Sequence, residues 1–200
     1  MKKHFLRMFI FLAVMCAQSW MTMTAHGQQI KKNEVKTNLE SLNDIDCVKA
    51  SDMKNIYSPV DLSMSMLRCV QQGRFDDAVF IFALSGVYGS FDTLRVSDQS
   101  AHQAVMVLRM ATLEAMTPDN KTSFMNQVNT TLGDDAKRTE ICQKIESIGA
   151  PKYYPQYMVQ HGIKALMGNS NGDGLIQHFD RRTGMRSALI SYLHCPDNNR

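Results

Sequence analysis

The sequence predicts an all-α fold, and three observations carry that prediction. Apolar residues recur at helical spacing in segment after segment, the segments open and close on capping signals, and strict two-residue alternation is nowhere long enough to propose a sheet. Connections of two to six residues place successive helices antiparallel and adjacent. The expected architecture is about seven short helices stacked as helical hairpins and stapled by two disulfides.

The elements follow in order. Ser58-Pro59-Val60-Asp61 supplies an N-cap, a proline at the first helical position and an acid three residues on, and Leu62, Met66, Cys69 and Val70 form the stripe before Gly73. Phe75 to Leu84 is apolar nearly all round, the mark of a buried central helix, and is expected to end in the turn Gly86-Val87-Tyr88-Gly89. Ala101, Ala104, Val105, Leu108, Ala111, Thr112 and Ala115 give a third helix with Ser97 or Asp98 as its cap. Thr117-Pro118 opens a fourth, with Phe124, Met125, Val128 and Leu132 on one face and Gly133 as its stop.

Asp134 caps a fifth, striped by Ile141, Ile145 and Ile148, with Asp134–Arg138 and Glu140–Lys144 as i,i+4 pairs, and Gly149-Ala150-Pro151 ends it. A helix is expected from Pro155 through Met167, and a last one carries Met185, Ala188, Leu189, Tyr192 and Leu193 ahead of Cys195-Pro196.

The 200 residues fall into three stretches. Lys2, Lys3 and Arg7, the ten-residue apolar run Met8–Ala17 and a polar stretch have the order of a secretory signal peptide. Small residues allow cleavage after Ser19 or after Gly27, and the latter leaves the more usual spacer. Residues 1–27 are therefore the expected signal, 28–57 a partly helical N-terminal extension and 58–200 the helical domain, in the periplasm or secreted. Ten apolar residues are too few for a membrane span, so no stable anchor is expected after cleavage.

Cleavage also resolves the charge. The net +3 comes from 22 Lys plus Arg against 19 Asp plus Glu, and the leader holds that whole excess. A neutral remainder with no basic run longer than Arg181-Arg182 argues against nucleic acid as a partner. Four of the five cysteines lie beyond the leader: Cys47, Cys69, Cys142 and Cys195. Without a C-x-x-C they read as two disulfides, for which three connectivities exist. Pairing Cys47 with Cys69 and Cys142 with Cys195 is favoured, since each bond would tie a terminal segment onto a helix.

No catalytic motif accompanies the histidines beyond the leader. Ser51-Asp52-Met53-Lys54 resembles the S-x-x-K of penicillin-recognising enzymes, but the S-D-N and K-T-G partners are absent. Tyr153, Tyr154 and Tyr157 gather half of the six tyrosines, and Tyr157 with His161 would share a helix face, making an interaction surface if exposed and ordinary packing if buried. Tyr88 in the glycine-rich turn is a further interaction candidate. Asp92, Arg95 and Asp98 are close enough in sequence to form a salt-bridged loop with His102. Asn169, Asn171, Asp173, Gly174, Ile176 and Asp180 fit positions 1, 3, 5, 6, 8 and 12 of a calcium loop and resemble the EF-hand pattern. Asn at position 1 and Asp at position 12 depart from it, so any calcium binding would be weak. No other cofactor is expected.

Two wider resemblances bear on function. Gln72-Gly73-Arg74-Phe75-Asp76-Asp77-Ala78 through Gly86 resembles one hairpin of the tetratricopeptide or related helical repeats, over about residues 60–100, with no second copy at a ~34-residue period. In size, export and helix content the chain is similar to the helical periplasmic immunity proteins that neutralise toxins delivered by competing bacteria. That resemblance implies an exported inhibitor acting by contact with another protein, a toxin or effector. The alternative is a small periplasmic hydrolase whose His and Asp residues meet only in three dimensions.

Overall fold

The computed structural model describes residues 39–168 and 172–197. The expected signal peptide, residues 1–27, lies outside the described residues. Within them the chain forms eight α-helices: α1 (Pro59–Gln71), α2 (Phe75–Arg95), α3 (Ala104–Glu114), α4 (Pro118–Leu132), α5 (Asp135–Ile148), α6 (Gln156–Val159), α7 (Ile163–Leu166) and α8 (Arg181–Leu193). The fold is all-α, and an isolated bridge between Val96 and Leu175 is the one β-type pairing among the described residues. None of these helices is long and apolar enough to cross a membrane.

Local chemistry explains most of the boundaries. Ser58 accepts from the Asp61 N–H while the Asp61 carboxylate accepts from the Ser58 N–H, a reciprocal capping box with Pro59 behind it. Thr117, Asp134 and Asp180 cap α4, α5 and α8 in the same sense. Gly149, at φ +84°, stops α5 in a conformation that a side chain would strain.

The core is organised around α2. Ala78, Val79, Ile81, Ala83, Leu84, Val87, Tyr88 and Phe91 are fully buried, because α1, α4 and α8 pack around the helix. Both disulfides form as expected, Cys47–Cys69 across 22 residues and Cys142–Cys195 across 53. The first pins the segment before Ser58 to α1, and the second joins the end of α8 to α5.

Several elements differ from the expectation. The central helix does not turn at Gly86–Gly89 but runs on to Arg95, 21 residues in all. Its glycines serve close packing: a Cβ on Gly86 would lie 2.0 Å from the Tyr192 ring of α8, and one on Gly89 would lie 2.9 Å from Val105 of α3. The Pro155–Met167 helix is two single turns, α6 and α7, separated at Gly162, which lies against Asp98 and Ala101. Asp98 does cap the third helix, but through a 3-10 turn, Gln99–Gln103, that leads into α3. Arg138 pairs with Asp135 rather than Asp134, whose carboxylate is engaged at the cap. Of the N-terminal extension, residues 39–57 hold a 3-10 turn, Ala50–Asp52, and are otherwise irregular.

Tyr192 cannot swing away freely, because Arg109 donates to its hydroxyl at 3.0 Å and stacks over its ring. Gly86→Ala is therefore expected to destabilise the fold by about 1–3 kcal/mol through overpacking. Thermal unfolding will show a lowered midpoint, partly restored when Tyr192→Leu is added.

Candidate functional site

Asp92 and Arg95 are three residues apart on α2 and share a face. Arg95 Nε donates to Asp92 Oδ1 at 2.8 Å, and its Nη2 lies 2.7 Å from the same oxygen. Asp92 Oδ2 accepts from the Tyr153 hydroxyl at 2.8 Å and the Tyr157 hydroxyl at 3.0 Å. Arg95 also donates to the Tyr153 carbonyl, and its guanidinium lies 5.1 Å from the ring centroids of both Phe91 and Tyr153. Tyr88, one turn earlier on α2, donates to the Gly149 carbonyl and packs beside Tyr153.

These groups form a closed polar knot. Burial pushes the Asp92 carboxyl up to about 6, against the opposing pull of Arg95, Tyr153 and Tyr157. Burial first, and then the Asp92 charge, hold the phenols of Tyr88, Tyr153 and Tyr157 above their ordinary value, so all three are neutral donors at physiological pH. Asp92 is 0% exposed and Arg95 4%. The structure thus brings together five of the interaction candidates, Tyr88, Asp92, Arg95, Tyr153 and Tyr157, but as interior packing. With Tyr88, Asp92, Arg95 and Tyr157 buried and Tyr153 turned onto Asp92, they present no docking surface.

The other candidates lie outside this knot. His102 Nε2 donates to the Val96 carbonyl at 3.0 Å. The salt-bridged loop reduces to the Asp92–Arg95 pair, because Asp98 accepts instead from Ser100 and from the Lys164 N–H. No hydrogen bond joins any two of His102, Asp92, His161 and Asp98 among the described residues. His161 is half-buried beyond the end of α6, so it does not share a helix face with Tyr157, which points inward. Tyr154 is exposed and donates to the Asp173 carbonyl.

In the calcium-like loop, Asn169 and Asn171 lie outside the described residues. Asp173 accepts from the Leu175 N–H in a local turn. Both Asp180 oxygens are engaged by Arg182 and Thr183 at the start of α8, which holds its carboxyl below the usual range. The residues that would ligate at positions 5 and 12 thus serve as a turn former and a helix cap. Ser51 bonds to Asp52, and no hydrogen bond joins it to Lys54 among the described residues.

An apolar surface is the feature that sequence reasoning did not single out. The inner face of α3 is Ala104, Leu108 and Thr112, and its outer face carries Met106, Val107 and Met110, exposed by 65, 40 and 54%. On and just after α7, Ile163, Leu166 and Met167 are exposed by 56, 72 and 67%. The two stretches are clasped at their starts. Ser100 accepts from the Ile163 N–H at 2.9 Å and Asp98 from the Lys164 N–H at 3.1 Å, so α7 hangs from the turn that begins α3. The sequence signal was present, since Met106, Val107 and Met110 are apolar residues that fall off the inner stripe.

Comparison of the chain with protein-family models, with curated proteins and with solved structures returns no match.

The Asp92 knot sets a pH dependence. A carboxyl raised from 3.8 to about 6 on folding favours the protonated form in the native state. Its contribution to stability is therefore present below about pH 4 and declines as pH rises towards 6. Urea unfolding from pH 4 to 7 will show this decline in the natural protein and not in Asp92→Asn. At pH 7.5, Tyr157→Phe is expected to cost about 1 kcal/mol by removing one of the two phenolic donors to Asp92.

Proposed function

We propose that this chain is an exported binding protein that works by contact with another protein, and that its docking surface is the apolar face shared by α3 and α7. The exposure of Met106, Val107 and Met110 on α3 and of Ile163, Leu166 and Met167 on and after α7, with α7 clasped through Asp98 and Ser100 to the turn that begins α3, carries the reading. Surfaces of soluble chains scatter such side chains singly, and a cluster of them favours a partner. Methionine is flexible and polarisable, so it adapts to branched or aromatic side chains presented opposite.

Two disulfides fit an oxidising compartment, which agrees with export to the periplasm or beyond. On this reading the partner is a toxin or effector acting there, and the protein is its inhibitor. The hydrolase alternative draws no support from the geometry: Asp92 is closed off by Arg95 and two tyrosines, and His102 is engaged by a backbone carbonyl.

Photo-cross-linking in cells carrying the full chain tests the surface. A photoreactive residue at position 110 or 166 is expected to give adducts with one and the same protein, and one at Asn126 on α4 none. Absence of adducts at 110 and 166, or an identical pattern from 126, would overturn the assignment.

A further inference from the structure

A second feature lies away from that face. Between α5 and α8 runs a cleft of about 530 Å³, within the range of small-molecule sites. Met185, Leu189 and Ile190 of α8 and the Cys142–Cys195 disulfide give it apolar walls, and Arg181, Arg182 and Arg186 line it as well.

The three arginines are differently engaged. Arg181 donates to the Pro151 carbonyl and stacks over Phe91, and Arg186 pairs with Asp197. Arg182 has no carboxylate within ion-pair distance among the described residues. Glu146 and Asp197 are the acids that line the cleft, against three arginines, and the Asp180 charge acts on Arg182 from the start of α8. The backbone N–H groups that start α8 are already taken by Asp180, so it is the guanidinium and not the helix terminus that is available to an anion.

The chemistry is polarised along α8. Arg182 lies in the first turn, and Ile190 is eight residues later, about 12 Å along the helix. Both long walls are helices whose interior peptide groups are bonded within the helix. They offer no sheet edge to an extended peptide, and the narrow apolar strip along α8 is matched in length by an acyl chain. We propose that this cleft binds a medium-chain carboxylic acid, with the carboxylate on Arg182 and the chain running along Met185, Leu189 and Ile190 towards the disulfide. A guanidinium meets a carboxylate through two parallel hydrogen bonds, which fixes the head while the apolar wall fixes the tail.

Decanoate is the probe, titrated calorimetrically into the full oxidised protein, with 1-decanol as the uncharged control. One saturable site below about 1 mM is expected, with decanol and Arg182→Ala each weakening binding by about tenfold or more. Ile190→Trp, which fills the cleft from a half-buried position, is expected to abolish it while circular dichroism confirms an intact fold. The proposal fails if decanoate does not saturate, or if Arg182→Ala and Ile190→Trp both bind normally. It fails equally if Met110→Asp removes binding and Ile190→Trp does not, because the acid then sits on the α3 face.

Discussion

A carboxylate shut away from water has to be satisfied by the chain itself, and at Asp92 that requirement orders much of what surrounds it. Burying the charge opposes folding by several kcal/mol unless partners are in place. Arg95 comes from the same helix, but Tyr153 and Tyr157 come from the stretch after α5, whose helices α6 and α7 are single turns. Apolar contact alone leaves such a stretch free to slide. Two phenolic hydroxyls directed at one oxygen do not, because hydrogen bonds weaken steeply away from their preferred geometry. The knot also lies at a seam, since Tyr153 packs against both the main core around α2 and the smaller cluster of Val60, Val96, Ala101, Ala104, Leu108, Tyr157 and Met158.

Asp61 applies the same device at the start of α1 without any cation. Burial alone would raise its carboxyl, yet hydrogen bonds from Asn43, Ser41 and Ser58 outweigh burial and hold it below the usual range. Those donors carry residues 41–43 onto the start of α1. Arg68 continues the attachment at Ile45 and Asp44, and the Cys47–Cys69 bond completes it. Closing a 22-residue loop removes about 3 kcal/mol of unfolded-chain entropy, which suits a segment that lacks a helix of its own to hold it.

The parts of this fold that could be read from the sequence are those whose signals are local. Ser58-Pro59, Thr117-Pro118, Asp134 and Gly149 each act on residues within a turn of themselves, so the α1, α4 and α5 boundaries follow from short-range chemistry. Gly86, expected in a turn but found inside α2, differs for the opposite reason. A glycine that bends the chain and a glycine that admits a neighbour look alike until the neighbour is known, and the neighbour here, Tyr192, is distant in the chain. The tyrosines posed the same problem: their concentration was visible, but whether they faced water or Asp92 was decided by how residues 149–159 fold back onto α2.

The α3 helix shows why its outer side matters. Ordinary surface helices bury their large apolar residues and expose polar ones. Here the buried positions include Ala104 and Thr112, and Val105 packs closely onto Gly89, so α3 approaches α2 on small side chains. Larger residues, Met106 and Met110, are left on the far side. Each would gain about 1.5–3 kcal/mol from full burial, a stabilisation the isolated chain does not collect. Their substitution by polar residues would therefore cost the fold little. Such a surface can be altered without loss of stability, so a change at Met106 or Met110 reads out contact at the proposed face and not the packing of the core beneath it.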